Sequence, residues 1–328
     1  MNNRQAAFEG PKKYRLLTRS DFDGLVCAIL LKSLGILDSI TFVHPKDVQD
    51  GKVEITPNDI LTNLPYAPEC YLCFDHHDSE ATRAEDTSRT NHILLPEADS
   101  AARVLYEWYG GANAFPFVSN ELMRAVDKAD SASFTKEDIL NPRGWELLSF
   151  LMDPRTGLGR FRQFRISNYE LMMALIDYCA THSIEETLQL PDVRERIDLY
   201  REHQERFAAQ IRRCTTVHQN VAVLDLREEE VIYVGNRFMI YALFPQCNIS
   251  MHILWGLRRE NTVVAIGKSI LNRTCEIKVD ELVSMYGGGG HAAAGTCQVA
   301  HEAAPGVIRD IVARVNAGAA TARELALV

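Results

Sequence analysis

The stretch Cys70-Tyr71-Leu72-Cys73-Phe74-Asp75-His76-His77-Asp78 constrains this chain more than any other. An apolar run ending in adjacent titratable groups reads as a buried strand that delivers polar side chains to the edge of a sheet. Side chains alternate along a strand, so Phe74 and Asp75 face opposite ways; His76 and His77 fall just past its end, where the backbone can turn. One imidazole with nearby carboxylates makes a nitrogen–oxygen site suited to manganese or a similar divalent cation. Taken alone, the run is equally a capped strand end with solvated histidines, because short motifs match by chance. Cys70 and Cys73 have zinc-like spacing. Their odd separation in a strand puts them on opposite faces, which leaves them as core residues.

A second acidic turn lies near the N-terminus. After a polar lead-in over residues 1–13, Tyr14–Thr18 reads as a strand, Arg19-Ser20-Asp21-Phe22-Asp23-Gly24 as a turn, and residues 25–35 as a buried helix closed by Gly35. Asp21 and Asp23 thus sit at the carboxyl end of a strand, where open α/β sheets bind ligands. A helix cap accounts for Asp23 but not for both. Alternating carboxylates can instead meet one cation or two neighbouring ones. Further strands are expected at 36–43, at Asp59–Thr62 (ending at Asn63) and at 93–95, with helices at 100–109 and 119–129. The second of these helices delivers Asp127, with Asp130 close behind. Acid is poorly matched to a helix C-terminus, so a cation or basic partner is expected there.

Residues 131–168 carry turn signals. Gly157 to Arg165 interleaves arginine with phenylalanine, as a phosphate or base pocket or a packing surface does. An apolar helix at 169–182 and a charged one from Pro191 to Arg213 follow. Beyond Thr215 the pattern is mixed α/β, with strands at 221–226, 231–234, 250–256 and 262–268 and helices at 241–244, 279–286 and 306–317. Gly287 to Gly290 are four consecutive glycines, followed by His291. Such a run lets the backbone approach a ligand, and its amides can cradle phosphate. The small apolar residues after His291 read as the start of a packed helix. No Gly-Lys-Ser/Thr follows, so this is not a Walker-type loop.

At 328 residues the chain is longer than one core usually accommodates, so two domains are expected. A formal charge of -9 argues against a surface that coats long nucleic acid, but not against a short anionic substrate in a local pocket. No apolar run reaches membrane-spanning length and no signal core is present. Eight scattered cysteines suit reduced thiols in a cytoplasm.

Asp21-Phe22-Asp23-Gly24, Asp75-His76-His77 and the distant Gly-Gly-Gly-Gly-His291 together resemble the DHH–DHHA1 phosphoesterase superfamily over nearly the whole chain. The nearest branch looks like the nanoRNase/pAp-phosphatase and exopolyphosphatase-related proteins, with RecJ exonucleases as larger relatives. The resemblance implies an α/β fold: a parallel-sheet DHH domain (1–190), a helical linker (191–214) and a smaller mixed α/β DHHA1 domain (215–328), with the active site in the cleft between domains. It implies manganese, with magnesium as an alternative. Asp21, Asp23, His76 and Asp127 match the family's metal ligands. Asn63 falls where a bridging aspartate is usual. Asp75 would orient the metal-binding histidine, and His77 would face the scissile phosphate. Arg273, Asn272, Gly288, Gly289, Gly290 and His291 would hold the substrate. Two departures stand out. Leu17 replaces a histidine, and the neutral Asn63 cannot bridge two cations as a carboxylate does. One firm metal site is therefore expected, with a second that is weak or assembled by substrate. The implied activity is metal-dependent hydrolysis of short oligoribonucleotides or linear dinucleotides to nucleoside monophosphates. A pAp phosphatase or polyphosphatase, and a nucleotide-binding protein with an attenuated metal site, are the alternatives. No long nucleic acid and no membrane partner is expected; a homodimer is compatible with the family.

Overall fold

The computed structural model describes residues 13–77 and 90–325; Asp78 and the lead-in residues 1–12 lie outside them. The chain divides into two compact units. One comprises residues 1–133 and 142–198, the other 134–141 and 199–328. The charged helix Pro191–Cys214 contributes to both.

The first unit is built on five parallel strands, β1 (Tyr14–Thr18), β2 (Leu37–Phe42), β3 (Asp59–Thr62), β4 (Leu72–Asp75) and β5 (His92–Leu94), in the order β2-β1-β3-β4-β5. Parallel strands covered on both faces read as continuous apolar runs. Accordingly Leu16, Leu17, Ile60, Leu61, Cys73 and Phe74 are all fully buried. Helix α1 (Phe22–Ser33) is buried along most of its length and packs against α2 (Ala101–Tyr109) and α3 (Asn120–Asp130). Helix α4 (Gly144–Met152) falls in the segment expected to be turns. Its run Leu147-Leu148-Ser149-Phe150-Leu151-Met152 is buried throughout, and that outweighs the flanking Pro142 and Gly144. β4 begins only at Leu72, so Cys70 lies in the preceding turn. Cys70 and Cys73 join one small core cluster with Leu17, Leu61 and Leu64 instead of facing apart.

Phe164 and Arg165 serve packing within this unit. Arg165 Nε donates to Asp192 at 2.9 Å, and the fully buried Arg196 lies 4.2 Å above the Phe164 ring.

The second unit holds a six-stranded mixed sheet: β6 (Thr215–His218), β7 (Val221–Asp225), β8 (Ile249–Trp255), β9 (Thr262–Lys268), β10 (Gly289–His291) and β11 (Ala294–Val299), ordered β10-β11-β9-β8-β7-β6. Only β7 and β8 run parallel. One face packs Met251, Ile253, Val264, Ile266 and Cys297 against Val279, Val283, Ile311 and Val315. Residues 231–234 form no strand. The small residues after His291 turn into a hairpin, not a helix. Gly288 and Gly290 explain this: a Cβ on either would lie 2.5 Å from Thr296 O or 2.3 Å from Ala294 O, so the glycines let the chain fold back closely on itself. Among the described residues no helix is long and apolar enough to cross a membrane.

Candidate active site

Strand register gathers the site. Thr18 pairs with Thr62, and Thr62 with Phe74, so the three central strands end level. The residues that follow, Arg19 to Asp23, Asn63, and Asp75 to His77, therefore emerge along one edge of the sheet. The acidic turn is held closed locally. Asp21 caps α1 by accepting from Gly24 N at 3.0 Å, and a Cβ on Gly24 would lie 2.0 Å from Arg19 O. No other residue allows that approach without moving the turn.

Asp23, His76 and Asp130 each bring one ligand atom to a common point, all within 4.8 Å of one another. Asp23 is 2 % exposed; its Oδ1 accepts from Ala102 N at 2.9 Å, while Oδ2 is buried with no partner. His76 Nδ1 donates to Ala98 O at 3.0 Å, which turns Nε2 toward the cluster, 2.7 Å from Asp130 Oδ2. That contact is an ion pair when His76 is protonated. Burial, then the like charge of Asp130, pushes the Asp23 carboxyl well above its ordinary range. Burial alone would lower His76, but Asp130 and Asp23 outweigh it and push the imidazole up to about 9. His76 in turn holds Asp130 below the carboxylate range despite burial. An unpaired buried carboxylate oxygen beside a second carboxylate and an imidazole fits a divalent cation with nitrogen and oxygen ligands.

Asp127, expected among the ligands, is not in this cluster. Its Oδ1 accepts from Ser100 Oγ at 2.8 Å, and its Oδ2 takes Arg103 Nε and Nη2 at 3.0 and 2.6 Å. Asp130 stands in the cluster in its place. Asp127 and Asp130 lie one turn apart at the end of α3, and the basic partner foreseen for that end is Arg103. Asp21 also stands outside the three-residue cluster, with Oδ2 3.1 Å from Arg19 Nε. Burial, as the leading cause, raises its carboxyl.

Asp75 is 1 % exposed and accepts from both His76 N (2.9 Å) and His77 Nδ1 (2.7 Å). It thereby fixes the His77 ring with Nε2 on the side away from the carboxylate. Asn63 is 1 % exposed, has a left-handed φ of 53°, and leaves both amide atoms without a protein partner. Each such atom costs about 1–3 kcal/mol in a dry interior. An asparagine kept there at that cost has a polar group to meet that is not protein.

In the second unit, the sheet face opposite the core carries small residues. Ser250, Gly267, Ala294 and His291 form one cross-strand row; His252, Ala265, Thr296 and Gly289 form the next. A Cβ on Gly289 would meet nothing within 4 Å, so of the three glycines expected to hold substrate this one leaves open space. His291 is exposed, and its Nδ1 accepts from Ala293 N at 3.3 Å. Arg273 is exposed with Nε donating to Ile270 O at 3.1 Å. Asn272 is spent on its own loop, with Oδ1 accepting from Thr274 Oγ1 at 2.8 Å. Burial and Arg237 hold the His252 imidazole down to about 4, a group sequence reading did not single out.

No protein-family model and no curated relative matches the chain. Solved structures do. A pGpG-specific phosphodiesterase, PggH, from Vibrio cholerae is 59% identical over 93% of this chain and 99% of its own, with a TM-score of 0.79. The DHH domain of a protein described as a member of a ribosomal-protein family is 12% identical over 95% of this chain and 88% of its own, with a TM-score of 0.57. RecJ from Thermus thermophilus, in complex with Mn2+, is 14% identical over 95% of this chain and 53% of its own, with a TM-score of 0.54. The last two show a shared fold.

Proposed function

Because this chain belongs to the DHH-family phosphoesterases, we propose that it hydrolyses linear dinucleotides of the pGpG type to nucleoside 5′-monophosphates in a metal-dependent reaction. The observation that carries the reading is the Asp23–His76–Asp130 cluster, with its unpartnered Asp23 Oδ2, at the carboxyl edge of a parallel sheet. The 59% identity to a pGpG-specific phosphodiesterase supports the substrate class.

Asp23, His76 and Asp130 would hold the cation, with manganese favoured and magnesium an alternative. When bound, the ion supplies Lewis acidity and makes water a nucleophile near neutral pH. The water oxygen ends on phosphorus, the P–O3′ bond breaks, and a proton passes to the departing 3′ oxygen. His77 would move that proton. Asp75 accepts from its Nδ1, so Nε2 would take a proton in the neutral form and would donate one, or stabilise charge on the phosphoryl oxygens, as imidazolium.

One observation favours a second reading, a nucleotide-binding protein with an attenuated centre: Asn63 offers a neutral amide where the family has a bridging carboxylate. A pAp phosphatase or polyphosphatase would use the same chemistry. The test incubates the protein and Mn2+ with pGpG, longer oligoribonucleotides, pAp and polyphosphate, with products separated by chromatography. Preferential conversion of pGpG to GMP supports the proposal. Binding without turnover favours the attenuated reading, and preference for pAp or polyphosphate replaces both.

A further inference from the structure

We propose that Arg19 is a substrate-binding residue: its guanidinium pairs with Asp21 through Nε and takes non-bridging oxygens of the scissile phosphate through Nη1 and Nη2, so that a side chain supplies the positive charge a second cation would bring. The assignment rests on the phosphodiesterase reading for the identity of the anion.

Arg19 is fixed in the same turn as the cluster residue Asp23. It follows Thr18, the last residue of β1, whose carbonyl accepts from Val43 N at 2.9 Å. Its own carbonyl oxygen lies 2.0 Å from where a Cβ on Gly24 would stand, so Arg19 backs directly onto the first turn of α1, which carries Asp23. The side chain then returns to the turn, with Nε 3.1 Å from Asp21 Oδ2. The other Asp21 oxygen accepts from Gly24 N at 3.0 Å. Both oxygens of Asp21 are thus engaged inside the turn, and this carboxylate stands apart from Asp23, His76 and Asp130.

The next strand end offers no second carboxylate. Asn63 N donates to Phe74 O at 3.1 Å, which seats Asn63 beside the strand end that carries Asp75 and His76, and its amide is neutral. A second cation would meet one carboxylate already paired and one amide. The turn holds a guanidinium instead, and positive charge at the phosphoryl oxygens stabilises the transition state whichever group supplies it. The Arg19 side chain is 29 % exposed, so a solute can reach it. Among the described residues its guanidinium forms no hydrogen bond or ion pair beyond the contact with Asp21. Arg15 and Arg103 differ, since Asp59 and Asp127 hold them bidentately. With Nε turned to Asp21, the Nη1–Nη2 edge of Arg19 remains, and that edge presents paired N–H donors of the kind phosphate accepts.

The alternative is that Arg19 only ties down the turn through Asp21. The two roles separate by what each variant loses. The experiment uses the full-length manganese-loaded protein, wild type and the variants Arg19→Ala and Arg19→Lys. It measures binding of Mn2+ and of inorganic phosphate by calorimetry, unfolding in urea, and kcat/KM for pGpG. We expect Arg19→Ala to weaken phosphate binding and lower kcat/KM by about 100-fold. Its Mn2+ affinity should equal or exceed that of wild type, because a like charge has left the turn. Arg19→Lys should recover part of the loss, since it keeps the charge and lacks the fork. Phosphate binding and turnover both within about threefold of wild type in Arg19→Ala overturn the assignment, even if stability falls. So does a loss of Mn2+ affinity large enough to account for the lost turnover. If Arg19→Ala does not fold, Arg19→Lys decides: phosphate binding about tenfold weaker than wild type supports the fork, and equal binding overturns it. Should the wild type bind phosphate through Arg19 and hydrolyse no dinucleotide, the phosphodiesterase reading fails and the phosphate site stands.

Discussion

Asp130 Oδ2 lies 2.7 Å from His76 Nε2, where the last turn of one helix meets the end of a parallel strand. That pair belongs to the Asp23–His76–Asp130 cluster, the candidate cation site, and Asp127 does not. Asp130→Ala should weaken Mn2+ binding by more than about 100-fold. Asp127→Ala should leave Mn2+ affinity within about tenfold, because its carboxylate is bonded to Ser100 and Arg103. It should instead lower stability by about 1–3 kcal/mol, the cost of leaving charged partners unmade. Calorimetric titration and urea unfolding of the two variants separate these outcomes. Equal loss of metal binding in both would refute the assignment.

Metal removal should change how stability depends on pH. The His76 pKa is raised from 6.5 to about 9 in the metal-free fold. A group whose folded pKa is raised contributes stability that is complete below its unfolded value and is lost as pH rises through the folded one. Metal-free protein should therefore lose stability between about pH 6.5 and 9. With Mn2+ the trend should reverse, because the ion needs His76 neutral and rising pH removes the competing proton. Thermal melts across this range, with chelator and with Mn2+, give the two slopes. Parallel slopes would contradict the ligand role of His76.

Asp23→Asn should stabilise the metal-free protein while abolishing turnover. Burial raises the Asp23 carboxyl well above its ordinary value, so holding it ionised opposes folding. The folded state binds the extra proton above the unfolded pKa, hence stability falls as pH rises through that window. The gain from asparagine should be about 1–3 kcal/mol above about pH 5 and vanish in acid. Urea unfolding at two pH values measures it. A variant less stable at neutral pH would show that Asp23 is satisfied by protein contacts alone.

Asn63→Asp should create a second tight cation site. The amide has no protein partner to lose, so the exchange costs no hydrogen bond. A carboxylate there should be satisfied by a second ion. Calorimetry should then count two Mn2+ ions at high affinity where the parent binds one. An unchanged stoichiometry would mean that Asn63 serves another group.

Much of this site was legible because strand ends punctuate sequence. Asp23 and His76 each follow an apolar run, and parallel strands place such ends side by side. The helix end was not resolvable in the same way. Asp127 and Asp130 differ by one turn, and only the partners Ser100 and Arg103, more than twenty residues away, decide which one turns inward. The hairpin after His291 was misread because three alanines suggest a helix, whereas the glycines before them are set by backbone closeness in β11.

The most direct measurement follows pGpG by chromatography while metal-stripped protein is titrated with Mn2+. Two equivalents of GMP per pGpG, appearing in proportion to bound metal and absent in chelator, are predicted. Intact pGpG at saturating Mn2+, or equal turnover in chelator, would contradict a cation-dependent phosphodiesterase built on Asp23, His76 and Asp130.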